Sequence, residues 1–190
     1  MERRQQGKTR NRKYWRRMEF YLGTWNVLSL YRAGAFRLLL DQINKYKTGI
    51  IAIQEIRWIG QGTLEEKDHT IFYSCDRKQH KLGVGCVVKK NFKHLVMDFE
   101  AISTRICTLR IKGVFFNYTI INVHAPTEVS TEEGKESFYD LLQKTYDECP
   151  SYDGKIIVGD MNAQVGKKKY TAQQWDHIVY TKIQTLTDTA

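Results

Sequence analysis

Apolar residues along the chain fall into extended runs separated by two helical stripes. The runs FYLGTWNV, GIIAIQE, TIFYSC, GVGCVV, STRICTLRI, FNYTIINVHA and KIIVGDMN are rich in β-branched and aromatic residues and stop at polar or glycine positions. They read as strands. Several are continuously apolar rather than alternating, which predicts sheets covered on both faces. Phe36, Leu39, Leu40 and Ile43 recur at the three-and-four spacing of one helix face. A second helix repeats Phe138, Leu141, Leu142 and Tyr146, opens on a capping-box pattern of Ser130 and Glu133, and ends before Pro150. The order strand, helix, strand, several strands, helix, strand predicts a mixed α/β layout, a sheet core with helices outside it. Gly83-Val84-Gly85 has neither the further glycine nor the following helix of a nucleotide cradle. Lys167, Lys168 and Lys169 form a short basic run suited to a solvated loop.

Length and composition narrow the classes. A chain of 190 residues and 22.3 kDa suits one domain. With 42% hydrophobic and 27% charged residues it is neither a disordered polar chain nor a fibrous repeat. No window approaches the ~18 apolar residues of a membrane span, and no apolar signal core follows the first charges, so an intracellular, soluble monomer away from membranes is expected. Cys75, Cys86, Cys107 and Cys149 are widely spaced without a CxxC pair. Reduced thiols are expected in preference to zinc ligands or disulfides.

The net charge of 30 − 21 = +9 is unevenly spread. Residues 1 to 17 carry eight bases against Glu2, a net +7, and the remainder carries 22 − 20 = +2. Residues 1–18 therefore read as a disordered basic tail ahead of a domain spanning 19–190. Arg10, Arg12, Lys13, Arg16 and Arg17, with Tyr14 and Trp15 among them, suit contact with nucleic-acid phosphates or nuclear import. A solvated leader without a specific partner is the alternative.

Four apolar strands end in side chains of related chemistry: Asn26, then Gln54-Glu55, then Asn122-Val123-His124, then Asp160-Met161-Asn162. In α/β proteins ligand sites form beyond the strand ends, so these groups are placed to meet in one cleft. Oxygen donors such as Glu55, with Asn26 nearby, suit a hard cation like magnesium. Asp160 and His124 are candidates for handling protons or holding a water. Each also has a plain structural alternative: a salt bridge between Glu55 and Arg57, an Asp-Asn turn at 160–162, a hydrogen-bonded His124, a loop-capping Asn26.

Taken in order, TWNV at 24–27, QE at 54–55, NVHAPT at 122–127 and GDMNAQVG at 159–166 resemble the endonuclease/exonuclease/phosphatase superfamily, and most nearly its branch derived from non-LTR retrotransposons. The resemblance covers roughly residues 19 to 169. It implies a two-sheet β-sandwich flanked by helices, magnesium or manganese in the cleft, and hydrolysis of phosphodiester bonds in DNA. It further implies that Glu55 and Asn26 serve the metal, that Asp160 orients the attacking water with Asn162 assisting, and that His124 donates a proton or hydrogen bond to the phosphate.

Two departures from that pattern stand out. Leu28 occupies a position where abasic-site enzymes carry aspartate. The concluding Ser-Asp-His segment of the family has no counterpart here, and Asp176 in Gln174–Val179 resembles the aspartate that orients its histidine. The terminal strands of the sandwich are accordingly expected to be missing and the chemistry weakened or lost. Three functions follow from the sequence: a metal-dependent endonuclease, a nucleic-acid binder that does not cut, and a phosphatase acting on smaller phosphoesters.

Overall fold

Two strand-helix-strand units frame the molecule, each bringing two parallel strands side by side. The computed structural model describes residues 15–162 and 181–188. The first unit is β1 (Trp15–Asn26), α1 (Ala35–Ile43) and β2 (Thr48–Gln54); the second is β8 (Tyr118–His124), α2 (Glu132–Glu148) and β9 (Gly154–Asp160). Between them run β3 (Gln61–Glu66), β4 (His69–Ser74), β5 (Val84–Lys89), a short 3₁₀ helix (Lys90–Leu95), β6 (Val96–Ala101) and β7 (Ile106–Ile111). β10 (Thr181–Asp188) closes the described chain. The sheets have strand orders β10-β1-β2-β5-β4-β3 and β6-β7-β8-β9. Parallel neighbours need a crossover, and α1 and α2 supply it.

The layers explain the unbroken apolar runs. β2 is buried at every position because Ile50 packs between the sheets, with Leu22, Val88, Leu109 and Ile120, while Ile51 and Ile53 pack under Leu39, Leu40 and Ile43 of α1. On the second sheet, Ile121 and Val123 lie under Phe138 and Leu142 of α2. Each such side chain taken from water contributes about 1.5–3 kcal/mol. All four cysteines are free and buried. Among the described residues no helix is long and apolar enough to cross a membrane.

The α1 stripe matches the sequence pattern. In α2, Phe138 and Leu142 are buried with Leu141 packed against them, but Thr145 rather than Tyr146 completes the buried face. The α2 cap is also shifted by one residue. Thr131, not Ser130, is the N-cap, and its hydroxyl accepts from the Gly134 N–H. Glu132 and Glu133 then sit in the first turn, where the positive end of the helix favours them. β1 begins at Trp15, so it runs through the boundary that the charge count draws at residue 18 and places Arg16 and Arg17 opposite Thr187 and Leu186. Where the sequence predicts absent terminal strands, β10 pairs antiparallel with β1 from Leu22 back to Trp15.

One ion pair braces the strand that leads to Asp160. Arg110 on β7 donates through Nε and Nη2 to Asp153 at 2.7 and 3.0 Å, and Thr119 donates to the same carboxylate at 2.8 Å. The Arg110 guanidinium, helped by Thr119, outweighs burial and holds the Asp153 carboxyl below its ordinary value of 3.8. A depressed carboxylate adds stability above the unfolded value and loses it as pH falls through the folded one. Urea unfolding from pH 7 to pH 2 is expected to show a steeper acid loss for the parent than for Asp153→Asn; parallel curves would refute this.

Candidate active site

The two parallel pairs end together, and their last residues face one cleft. Asn26 is in register with Gln54 at the open end of the first pair, and His124 with Asp160 at the open end of the second. The Asn26 carboxamide joins the two sheets: its Nδ2 donates to Glu55 Oε1 at 3.0 Å and to Asp160 Oδ2 at 2.9 Å. Its Oδ1 accepts from the Leu28 N–H at 3.1 Å, which turns the chain out of β1. His124 Nε2 lies 3.9 Å from Glu55 Oε1. Asn26, Glu55, His124 and Asp160 are thus brought together as the sequence predicts.

Asn162 stands beside them in a supporting position. Its N–H donates to Asp160 Oδ1 at 3.0 Å, and its Nδ2 donates to the Ala125 carbonyl at 2.6 Å, tying the loop after β9 to the end of β8. The close approach of those strands requires Gly159. Its φ is 137°, and a Cβ there would run into the Val123 carbonyl. Asp176, Arg10, Arg12 and Lys13 lie outside the described residues.

Backbone strain gathers around this cleft. Leu28, Glu55, Arg57, Leu82 and Asn162 all take left-handed φ, between 46° and 58°. Such residues persist only where neighbours hold them. Here Ile56 N–H donates to the Gly83 carbonyl and Arg57 N–H to the Leu82 carbonyl, so Glu55 is clamped as it leaves β2.

Two groups that the sequence reading did not assign to the site, Arg57 and Arg105, and one that it placed among the strand ends without a role, Asn122, shape it. Arg57 Nη2 donates to Glu55 Oε2 at 2.6 Å. Arg105 Nη1 donates to the carbonyls of His124 and Ala125 at 2.9 and 3.2 Å. Asn122, fully buried, accepts from Gln54 Nε2 at 2.7 Å and donates to the Ile53 and Gly85 carbonyls at 3.0 and 2.8 Å. This bridge locks the sheets together one residue before Glu55 and two before His124. The QEIR spacing was the available signal for Arg57; Arg105 and the partners of Asn122 left none.

The electrostatics follow from these contacts. Burial works to raise the Glu55 carboxyl, but hydrogen bonds from Asn26 and Arg57, with the Arg57 charge, outweigh it and leave the group below its ordinary value. Burial chiefly, and then the Arg105 cation, push His124 down against the opposing pull of Asp160 and Glu55. The ring is therefore neutral near pH 7, and its Nδ1 is buried without a hydrogen-bond partner. Among the described residues no three His, Cys, Asp or Glu side chains converge as a metal cage. One or two carboxylates beside a carboxamide, with no thiolate, fit magnesium, which retains waters and takes its remaining ligands from phosphate.

Residues 23–187 match the Endonuclease/Exonuclease/phosphatase family. Craniofacial development protein 2 of Tragulus javanicus is 32% identical over 151 residues, which are 80% of this chain and 26% of that protein. The chain thus spans about a quarter of the length of the curated relatives it matches. Among solved structures, the 3′ phosphatase NExo from Neisseria, bound to a product DNA hairpin, superposes with a TM-score of 0.58 at 16% identity, covering 78% of this chain and 60% of that one. The endonuclease domain of TRAS1, a telomere-specific non-LTR retrotransposon, gives 0.54 at 15% identity, covering 77% and 62%. Two helix-flanked sheets whose parallel pairs open onto a shared cleft, and a family match running from Gly23 at the cleft strand to residue 187, establish that this chain belongs to the endonuclease/exonuclease/phosphatase family.

Proposed function

We propose that the chain hydrolyses phosphodiester bonds in DNA with magnesium or manganese held at Glu55. The observation that supports this reading is one carboxamide, that of Asn26, hydrogen-bonded to two carboxylates from different sheets. Glu55, with Asn26 beside it, would hold the cation, whose charge offsets that of the phosphate when bound. Asp160 orients the attacking water and accepts its proton, and the Asn162 N–H keeps that carboxylate turned into the cleft. His124, neutral, donates a hydrogen bond to a non-bridging phosphate oxygen as negative charge builds there. Asp176 joins the proposal on sequence grounds, as an orienting carboxylate. Arg10, Arg12, Lys13, Arg16 and Arg17 would anchor the phosphate backbone or an import receptor, which suits a nuclear location.

Supercoiled plasmid reports the reaction directly. The purified chain is expected to nick it in magnesium, to stop when chelator is added, and to resume when magnesium or manganese is restored in excess. Plasmid retained in a gel shift yet never nicked would replace this reading with a non-cutting nucleic-acid binder. Release of phosphate from small esters without nicking would replace it with a phosphatase.

A further inference from the structure

Three loops at the rim of the cleft are laced into one surface. The loop after β1 meets the loop after β2 where the Leu30 N–H donates to the Ile56 carbonyl and Trp58 Nε1 donates to the Leu30 carbonyl. The loop after β4 joins them where Gly60 N–H donates to the Asp76 carbonyl, Cys75 N–H to the Gly60 carbonyl, and Arg57 N–H to the Leu82 carbonyl. Asp76 Oδ1 accepts from the N–H groups of Lys78 and Gln79, at 2.7 and 2.8 Å, and shapes the turn.

That surface presents an aromatic pair among cations. Tyr31 and His80 lie with ring centroids 4.1 Å apart, and Tyr31 is 61% exposed. His80 Nδ1 is 3.0 Å from the carbonyl of Arg57, the residue whose guanidinium holds Glu55. Arg32, Arg57, Arg77, Lys78 and Lys81 are all exposed on the same three loops. Against Glu55 and Asp76 they give the rim a net charge of 5 − 2 = +3, more than the +2 of all residues from 18 onward. The rest of the body therefore sums to 2 − 3 = −1.

We infer that Tyr31 and His80 form a stacking platform for an unpaired base, with Arg77, Lys78 and Lys81 holding the phosphates of a single-stranded segment. This reading rests on the hydrolysis proposed above only in naming the substrate form presented to Glu55. An exposed ring beside guanidinium and ammonium groups matches what single-stranded nucleic acid offers, a base face and a flexible backbone. In a duplex the base faces are covered by their neighbours, so the ring pair has nothing to stack on. Base stacking is sequence-tolerant, and the platform selects strand state rather than sequence.

Fluorescence anisotropy in chelator, where no cutting occurs, tests this. The probes are an oligothymidylate of roughly a dozen residues, within the span such a site covers, and a duplex of the same length. Single-strand binding is expected to be the tighter of the two. Tyr31→Ala and His80→Ala are each expected to weaken it at least about fivefold, near the lower end of what one stacked base contributes, without weakening duplex binding. Tyr31→Phe, which keeps the ring, is expected to bind like the parent. Replacing Arg77, Lys78 and Lys81 by glutamate should flatten the slope of log affinity against log salt by roughly 2. Parental affinity in the alanine variants, or equal losses on single strand and duplex, would overturn the inference. The unsubstituted chain separates the two proposals: if it never nicks plasmid in magnesium but Tyr31→Ala still costs it single-strand affinity, the platform stands and the hydrolysis falls.

Discussion

Glu55→Gln is expected to fold like the parent and to nick plasmid about a thousandfold more slowly. The amide is the same size and its oxygen can still accept from Asn26, which lies 3.0 Å from Oε1. The Arg57 guanidinium loses its carboxylate, but its side chain is 44% exposed and can turn to water, so little stability is lost. What disappears is the negative charge on which the proposed cation depends, and electrostatic groups of this kind contribute roughly 10²–10³ in rate each, with more at a metal. Parallel thermal melts and timed plasmid digests in magnesium provide the measurement. A variant that melts with the parent and digests within tenfold of it would remove Glu55 from the chemistry.

Asn122→Leu is expected to cost on the order of 4 kcal/mol of stability, although the side chain is similar in size. The substitution removes the acceptor for Gln54 and the donor for the Ile53 and Gly85 carbonyls, all inside the interface between the sheets. Gln54 keeps the Thr24 hydroxyl as an acceptor, while the two carbonyls lose this donor, and each buried polar group left without a partner costs about 1–3 kcal/mol. At roughly 2–4 °C per kcal/mol for a chain of this size, the melting midpoint should fall by about 10 °C. Gln54→Leu should be milder, since Asn122 keeps both carbonyl bonds. Equal midpoints for parent and Asn122→Leu would show that the bridge holds nothing.

Much of the architecture was legible because two-sided burial leaves an unmistakable trace. Ile50, Ile51 and Ile53 point alternately to two different cores, and a strand with that duty has to be apolar throughout. β3 and β6 were missed for the opposite reason. QGTLEE and VMDFEA lie at sheet edges with most positions exposed or half-exposed, so their polar residues hide the strand. The cap of α2 could be read to within a residue. Ser130 and Thr131 both qualify by type, and the choice is made in space: the Ser130 Oγ lies 3.2 Å from the Thr127 hydroxyl while Thr131 reaches Gly134.

The candidate site divides in the same way. Asn26, Glu55, His124 and Asp160 could be gathered from their strand-end positions, since a register of parallel pairs brings such ends together. The role of Asn122 could not, because its partner Gln54 is 68 residues away and an asparagine between Ile121 and Val123 carries no mark of what it faces. The strain at Glu55 and Arg57 was equally hidden, because neither residue type favours left-handed backbone.

β1 starts at Trp15 and ends at Asn26, and at about 3.3 Å per residue its two ends stand roughly 36 Å apart. The start of β1 therefore stands at the far end of the strand from the cleft, a separation of about eleven stacked base pairs at 3.4 Å each. Under the proposed function, a ligand reaching from the cleft to the start of β1 has to run along the length of that strand, so longer oligonucleotides are expected to bind more tightly than short ones.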